Sequence, residues 1–286
     1  MIPRFQLHRP TSLDEAVELL GELDEVACYA GGTELVQVMK MGFAQARHLV
    51  DLKRIDQLDG ITDEEDGTMR IGATVTHRTI GDSQVIRRRL PALCALEHQI
   101  ANIRIRNVGT IGGNLCFAEP HSDPATLLLA CDASVGLAGG EGRRTLSLDD
   151  FLLDAFTTAR EETEIMTHVS VPPMAAGARI AYHRLALTER PTVSVACRLD
   201  HTPEGTVEDP RIVIGSVGPR PIACAAPAQL RGLDSAAVAQ VADEMSHACA
   251  SEVEPLDELE LTPAYRQNLV AVVVRRALGE AIGAAT

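Results

Sequence analysis

The sequence predicts an α+β protein built as two domains, and three observations carry that reading. The chain has 286 residues, room for two cores at ~100–200 residues each. Its first part mixes short apolar runs with glycine pairs and helix-start signals. After Pro172-Pro173 the pattern changes to three strand-like runs followed by helices. A proline pair neither donates to a ladder nor continues a helix, so it marks the expected boundary. One domain is expected over 1–174, with subdomains over about 1–55 and 56–174, and a second over 178–286.

Taken in order, Phe5-Gln6-Leu7 reads as a short strand. Ser12-Leu13-Asp14-Glu15 has capping-box spacing ahead of apolar Leu13, Ala16, Val17 and Leu20, so a helix begins there. Val26-Ala27-Cys28-Tyr29 is an apolar run halted by Gly31-Gly32-Thr33, after which Leu35, Val36, Val38 and Met39 predict a helical turn or two. Leu49-Val50-Asp51-Leu52 and Arg70-Ile71-Gly72-Ala73 read as strands, separated by an acidic, solvated turn at Asp63 to Asp66. Gln84 to Glu97 is helical, with Pro91 opening a second helix at its first turn. The glycine-dense stretch from Arg104 to Asn114 is flanked by β-branched residues and reads as extended chain around a tight loop. Asp123-Pro124 starts a helix through Leu129, Gly139 to Gly142 makes a hairpin turn, and Glu164 to Val171 is a strand. Beyond the boundary, the runs from Ile180 to Leu187, Thr192 to Leu199 and Ile212 to Val217 predict an antiparallel three-stranded meander. Helices follow at Pro227 to Leu230, at Ala236 to Ala250 and, capped by Thr262 with Pro263 first, at Ala264 to Leu278.

Composition removes several function classes. Lys and Arg total 26 against 40 Asp and Glu, a net charge of −14, which repels nucleic-acid phosphates and anionic lipid heads. No apolar run approaches the ~20 residues of a membrane span. The 7 cysteines form no C-x-x-C pair, so no iron–sulfur or zinc site of the chain's own is readable. Free thiols and the lack of a signal-peptide layout at Met1 to Phe5 point to a reducing, cytoplasmic setting. With no Trp, 3 Tyr and 5 Phe, a large ligand has to be held by backbone and small side chains.

Two segments carry chemistry of that kind: Ala30-Gly31-Gly32-Thr33-Glu34 and Thr110-Ile111-Gly112-Gly113-Asn114. Glycine takes positive φ and has no side chain, so consecutive N–H groups can converge on a phosphate oxygen. Each pair can supply half of a pyrophosphate cradle, with Thr33, Thr110 and Asn114 as neutral donors. Neither loop contains Lys or Arg, which suits the diphosphate bridge of a dinucleotide better than a triphosphate. The plain alternative is that each pair marks an ordinary turn. G-x-G-x-x-G and G-x-x-x-x-G-K-[ST] are both absent, so Rossmann and P-loop readings lack their basis. His121 reads either as a solvent-facing loop residue or as a group that tunes a bound ring. Cys28 and Cys116 read as small packing residues. Arg266, Arg275 and Arg276 read as the polar face of an amphipathic helix.

With these motifs in hand, the chain resembles the FAD-binding medium subunit of the molybdenum hydroxylases, the group containing xanthine dehydrogenase and aerobic carbon monoxide dehydrogenase. The resemblance covers nearly the whole chain. It rests on Pro3-Arg4-Phe5 through Pro10-Thr11-Ser12-Leu13-Asp14-Glu15-Ala16, on Ala30 to Leu35, Leu49 to Leu52 and Ile71-Gly72-Ala73, and above all on Ile105-Arg106-Asn107-Val108-Gly109-Thr110-Ile111-Gly112-Gly113-Asn114-Leu115. It implies a two-subdomain FAD-binding fold of the PCMH, vanillyl-alcohol-oxidase-like type, with a C-terminal domain of three-stranded antiparallel sheet and helices. It also implies the cofactor contacts. Tyr29, Ala30, Gly31, Gly32, Thr33, Glu34 and Leu35 would wrap the diphosphate and adjoining sugar. Gly109, Thr110, Gly112, Gly113, Asn114 and Cys116 would meet it from the second subdomain. Ser122-Asp123 would lie against the flavin, where the alternative is a cap for the helix at Pro124. Ile100 would pack near the isoalloxazine, Ile165 or Met166 near its edge, and Arg184 would touch the cofactor. No catalytic or metal-ligating residue of the chain's own is implied.

The partners implied are a small subunit with two 2Fe–2S clusters and a large molybdopterin subunit, as a dimer of heterotrimers, with NAD, a quinone or dioxygen as acceptor. Two departures matter. Thr33-Glu34 stands where carbon monoxide dehydrogenases tend to carry His-Ser, which argues against carbon monoxide as substrate. The chain also runs straight from Cys116 to His121, without the cysteine-rich insertion of the 4-hydroxybenzoyl-CoA reductase branch. An FAD-free assembly subunit and a stand-alone flavin oxidase are the competing readings.

Overall fold

Ser12 Oγ accepts the Glu15 N–H at 3.2 Å, and the Glu15 carboxylate accepts the Thr11 N–H at 2.9 Å. The first helix therefore starts where its capping-box spacing puts it. The structure is a computed structural model that describes residues 2–187, 190–256 and 261–283. The chain forms two units, 1–118 with 133–172, and 119–132 with 173–286.

The first unit opens with β1 (Gln6–His8), α1 (Leu13–Glu22), β2 (Val26–Tyr29), α2 (Leu35–Met41) and β3 (His48–Asp51). These strands make a parallel sheet in the order β1-β3-β2, with Leu49 paired to both Leu7 and Ala27. Parallel neighbours need crossover helices, and α1 and α2 supply them. Successive side chains of β3 point to opposite faces. Val50 packs with Leu13, Ala16 and Leu20 of α1, while Leu49 packs with Met39 of α2 and Ala46.

Next come β4 (Ile61–Asp63) and β5 (Met69–Gly72), then the short helices α3 (His77–Asp82), α4 (Gln84–Arg89), α5 (Pro91–Glu97), α6 (Ile103–Arg106) and α7 (Ile111–Phe117). After α8 (Asp123–Ala130), which belongs to the other unit, follow β6 (Ser134–Gly139), β7 (Gly142–Ser147), α9 (Leu148–Phe151), β8 (Leu152–Asp154), β9 (Thr157–Thr158) and β10 (Ile165–Val171). The larger sheet is antiparallel in the order β4-β5-β10-β6-β7. One sequence expectation fails here. The stretch from Arg104 to Asn114 is helical at both ends and not extended, because Asn102 Oδ1 caps α6 through the Arg104 and Ile105 N–H groups and Thr110 Oγ caps α7. These caps outweigh the glycines and β-branched residues that pointed to extended chain.

The second unit contains β11 (Arg179–Leu185), β12 (Val193–His201), β13 (Val207–Gly215), β14 (Ile222–Ala223), α10 (Ser235–Ser251) and α11 (Pro263–Ala281). The sheet runs β11-β12-β13-β14, so a two-residue strand joins the expected three-stranded meander. Alternation along β12 divides its side chains. Val193, Val195, Cys197 and Leu199 share a core with Val238, Met245 and Cys249 of α10 and Val270, Val274 and Leu278 of α11. On the opposite face, Ser194 meets Thr126 of α8 at 3.2 Å and Arg198 donates to the Ala130 carbonyl at 3.0 Å. All eight residues of α8 are buried, which explains a helix that is apolar nearly all round.

Arg266 corrects a second expectation. It is fully buried and does not lie on a polar face. Its guanidinium donates to the carbonyls of Leu256, Ser216 and Thr192 at 3.0, 2.5 and 3.4 Å. A buried cation requires such hydrogen bonding. Arg275 is exposed and pairs with Asp243 at 3.1 Å, and Arg276 is exposed.

Candidate functional site

Tyr29 ends β2 and Leu35 opens α2, so residues 30–34 form a strand-to-helix loop. A Cβ on Gly31 would overlap the Val108 carbonyl oxygen and sit 2.8 Å from Gly109 Cα, and Gly32, at φ +70°, would drive one into the Tyr29 ring. Only glycine therefore allows the two glycine segments to touch and the first to turn. The Gly32 and Glu34 carbonyls accept from Val36 and Val38 at 3.1 and 2.9 Å. Among the described residues the N–H groups of Gly31, Gly32 and Thr33 donate to no backbone carbonyl. They form a short run of donors at the turn from strand to helix, which is the geometry expected of an anion-binding loop.

Sequence reasoning found no lysine in either loop, but the fold brings one. Lys53 Nζ donates to the Ala30 carbonyl at 3.1 Å, pairs with Asp51 at 2.7 Å and lies 4.0 Å from the Tyr29 ring centroid.

The second glycine segment is organised differently. Thr110 is buried, and its hydroxyl accepts the Gly113 N–H at 3.1 Å while its carbonyl accepts the Asn114 N–H at 2.9 Å. The Ile111 N–H donates to Val75, Gly112 to Ala73 and Gly109 to Ile105, at 3.0, 2.9 and 2.7 Å. A Cβ on Gly112 would lie 2.6 Å from that of Ala73. Here the expectation of a cradle made from backbone N–H groups is not met, because these groups are already bonded within the fold. The Thr110 hydroxyl, which accepts the Gly113 N–H, keeps its own O–H for donation.

Beneath it, the Gly109 carbonyl accepts from the His77 N–H at 3.0 Å, and His77 Nδ1 lies 2.7 Å from Glu97 Oε2 in a buried pair. Glu97 Oε1 has no hydrogen-bond partner among the described residues. Burial pushes the Glu97 carboxyl up against the opposing pull of His77. This pair was not legible in the sequence.

Burial also raises the Cys116 thiol to about 12 and raises Cys28 in the same direction, which keeps both protonated at neutral pH and fits packing roles. The Ile100 carbonyl accepts from Arg106 at 2.6 Å. Ile165 and Met166 are buried in β10 and pair with Ala138 and Leu137.

In the second unit, Ser122 precedes α8 without a side-chain cap bond, and Asp123 is no cap either. The Asp123 carboxylate accepts from the Tyr182 hydroxyl and, at 2.7 Å, from Arg184. Two residues named from sequence are thereby joined, with Tyr182 as the one missed. Burial and the Asp123 charge push the Tyr182 phenol well above its ordinary range. His121 is part-buried and bonds the Glu119 carboxylate at 3.0 Å, so the solvent-facing reading does not hold. Among the described residues no three His, Cys, Asp or Glu side chains could hold a metal, and no helix is long and apolar enough to cross a membrane.

Residues 3–174 match the family model of the FAD binding domain in molybdopterin dehydrogenase, and residues 186–281 match the CO dehydrogenase flavoprotein C-terminal domain. The chain belongs to the FAD-binding medium-subunit family of the carbon monoxide and xanthine dehydrogenases. The carbon monoxide dehydrogenase medium chain of Hydrogenophaga pseudoflava is 34% identical over 98% of this chain and 97% of its own length. The xanthine dehydrogenase FAD-binding subunit of Escherichia coli O157:H7 is 29% identical over 97% and 96%. A solved carbon monoxide dehydrogenase from Hydrogenophaga pseudoflava, lacking the Mo-pyranopterin moiety, superposes with a TM-score of 0.93 at 35% identity, covering 98% of each chain. The expected family, fold and FAD-binding domain are borne out, and the relatives of this medium subunit are parts of oxidoreductases.

Proposed function

We propose that this medium subunit holds FAD on the loop from Tyr29 to Leu35 and carries electrons from the 2Fe–2S clusters of a small subunit to an external acceptor, NAD, a quinone or dioxygen. The observation that supports this most directly is the run of N–H groups at Gly31, Gly32 and Thr33 that donate to no backbone carbonyl among the described residues, on a strand-to-helix loop that glycine alone allows to turn. That combination fits a diphosphate, which approaches backbone closely and accepts several N–H bonds. When bound, FAD supplies the redox chemistry of the subunit. The chain's own residues bind and orient it. Gly31, Gly32 and Thr33 donate to the diphosphate, and Thr110 and Asn114 add side-chain donors. Gly109, Gly112 and Gly113 shape the second segment, Ile100 packs against the ring, and Ile165 or Met166 offers backbone near its edge. Asp123, steadied by Tyr182 and Arg184, supplies a carboxylate beside the flavin, with Ser122 next to it.

The large partner carries the molybdopterin and selects the substrate. A dimer of heterotrimers in the cytoplasm is the assembly this reading favours, and Thr33-Glu34 argues against carbon monoxide. The full chain, produced alone and then with both partners, tests the proposal. We expect a yellow protein with one FAD per chain that co-purifies with the molybdenum and iron–sulfur subunits. A colourless chain that takes up no added FAD would favour an FAD-free assembly role. Oxidation of an alcohol by the isolated chain would favour a stand-alone oxidase.

A further inference from the structure

We propose that Lys53 is a positioning residue for the FAD loop, setting the direction of the Gly31 N–H through the Ala30 carbonyl. The inference rests on the FAD reading above and adds to it a residue outside both glycine segments. A trans peptide is planar, with its C=O and N–H on opposite sides, and the chain has no cis peptide bond among the described residues. The Lys53 ammonium, 3.1 Å from the Ala30 oxygen, therefore fixes the plane of the Ala30–Gly31 peptide and turns the Gly31 N–H away from itself. Without such a tether, a plane next to two consecutive glycines swings easily.

The lysine is itself held from two further sides. Asp51, nearly buried at the end of β3, pairs with Nζ at 2.7 Å and accepts the Lys53 N–H at 3.2 Å. The Tyr29 ring lies 4.0 Å below the ammonium, a cation–π distance. Asp51 pairs with the ammonium and is also approached by Arg9 Nε at 4.0 Å. The role assigned to Lys53 is the aiming of a neutral donor, which salt dependence separates from a direct charge contact.

Equilibrium titration of the full chain with FAD, read by flavin fluorescence, tests this. Lys53→Met keeps the apolar stem over Tyr29 and removes the bond to Ala30. We expect it to weaken FAD binding about tenfold, and by a similar factor at about 0.5 M salt, where exposed charges are screened. Lys53→Arg, which can still donate to the carbonyl, should recover most of the affinity. Lys53→Met binding within about twofold of the parent would overturn the proposal. So would a loss that disappears in high salt, which marks a direct charge contact, or equal losses in the Met and Arg variants. A parent chain that binds no FAD fails the functional reading instead, so the two failures are distinct.

Discussion

The two glycine segments look alike in sequence and do opposite work. In the first, where strand becomes helix, the Gly31 and Gly32 N–H groups donate to no backbone carbonyl among the described residues. In the second, Thr110, Ala73, Val75 and Ile105 have already taken the N–H groups of Gly113, Gly112, Ile111 and Gly109. The glycines of the second segment are there for close packing, as the overlap a Cβ on Gly112 would make with Ala73 shows. Gly31 joins the two, since it rests against the Val108 carbonyl. On the proposed reading the first segment offers the donors and the second supplies the packed surface against which Gly31 rests. A glycine pair does not distinguish these uses; the fate of its amide groups does.

The largest expected effect tests that division directly. Gly32→Asp places a side chain and a negative charge among these donors and should lower FAD affinity of the full chain at least about a hundredfold. Gly113→Asp meets mainly the Thr110 hydroxyl, 3.0 Å from its Cβ, and should cost about tenfold or less, near the value of a disturbed cap. The double variant should bind no FAD. Fluorescence titrations that find Gly113→Asp as damaging as Gly32→Asp would erase the distinction.

Next in size, Gly31→Ala forces the segments apart and should reduce unfolding free energy by about 1–3 kcal/mol in urea melts. An unchanged midpoint would show that they do not bear on each other.

The smallest effect concerns acid. The Gly112 N–H holds Ala73, and the Ala73 N–H holds Thr167 at 3.0 Å, next to His168. Burial, with Arg70 and Arg143 nearby and Glu64 opposing them, lowers His168 to about 4 from 6.5. The folded chain then binds fewer protons than the unfolded one below pH 6.5, so the stability His168 contributes is complete above 6.5 and lost as pH falls toward 4. His168→Gln should flatten the dependence of the urea midpoint over that window while leaving FAD affinity at neutral pH unchanged.

Much of the fold was legible because its signals are local. Ser12 to Glu15, Pro91 and Thr262-Pro263 each declare a helix start within a few residues, and β12 and β13 announce themselves by their apolar runs. The missed features depend on groups far apart in the chain. Asp123 resembles a helix cap until Tyr182 and Arg184 arrive from 59 and 61 positions away. Arg266 looks amphipathic until carbonyls 10, 50 and 74 positions away surround it. Lys53 reaches Ala30 across 23 positions. The helical nature of α6 and α7 was local but hidden, because two caps outweighed a composition that favours turns.

Arg266 also has a consequence for the order in which the protein is made. Synthesis runs from the N-terminus, so the carbonyls of Thr192, Ser216 and Leu256 leave the ribosome before the guanidinium that satisfies them. The apolar helix α8 likewise emerges ahead of the sheet it covers. The first unit has all its strands once β10 is out, whereas the second waits for α11. Nascent chains halted ahead of Thr262 therefore carry every strand of the first unit while the second still lacks its last helix, the keystone whose arrival satisfies those carbonyls.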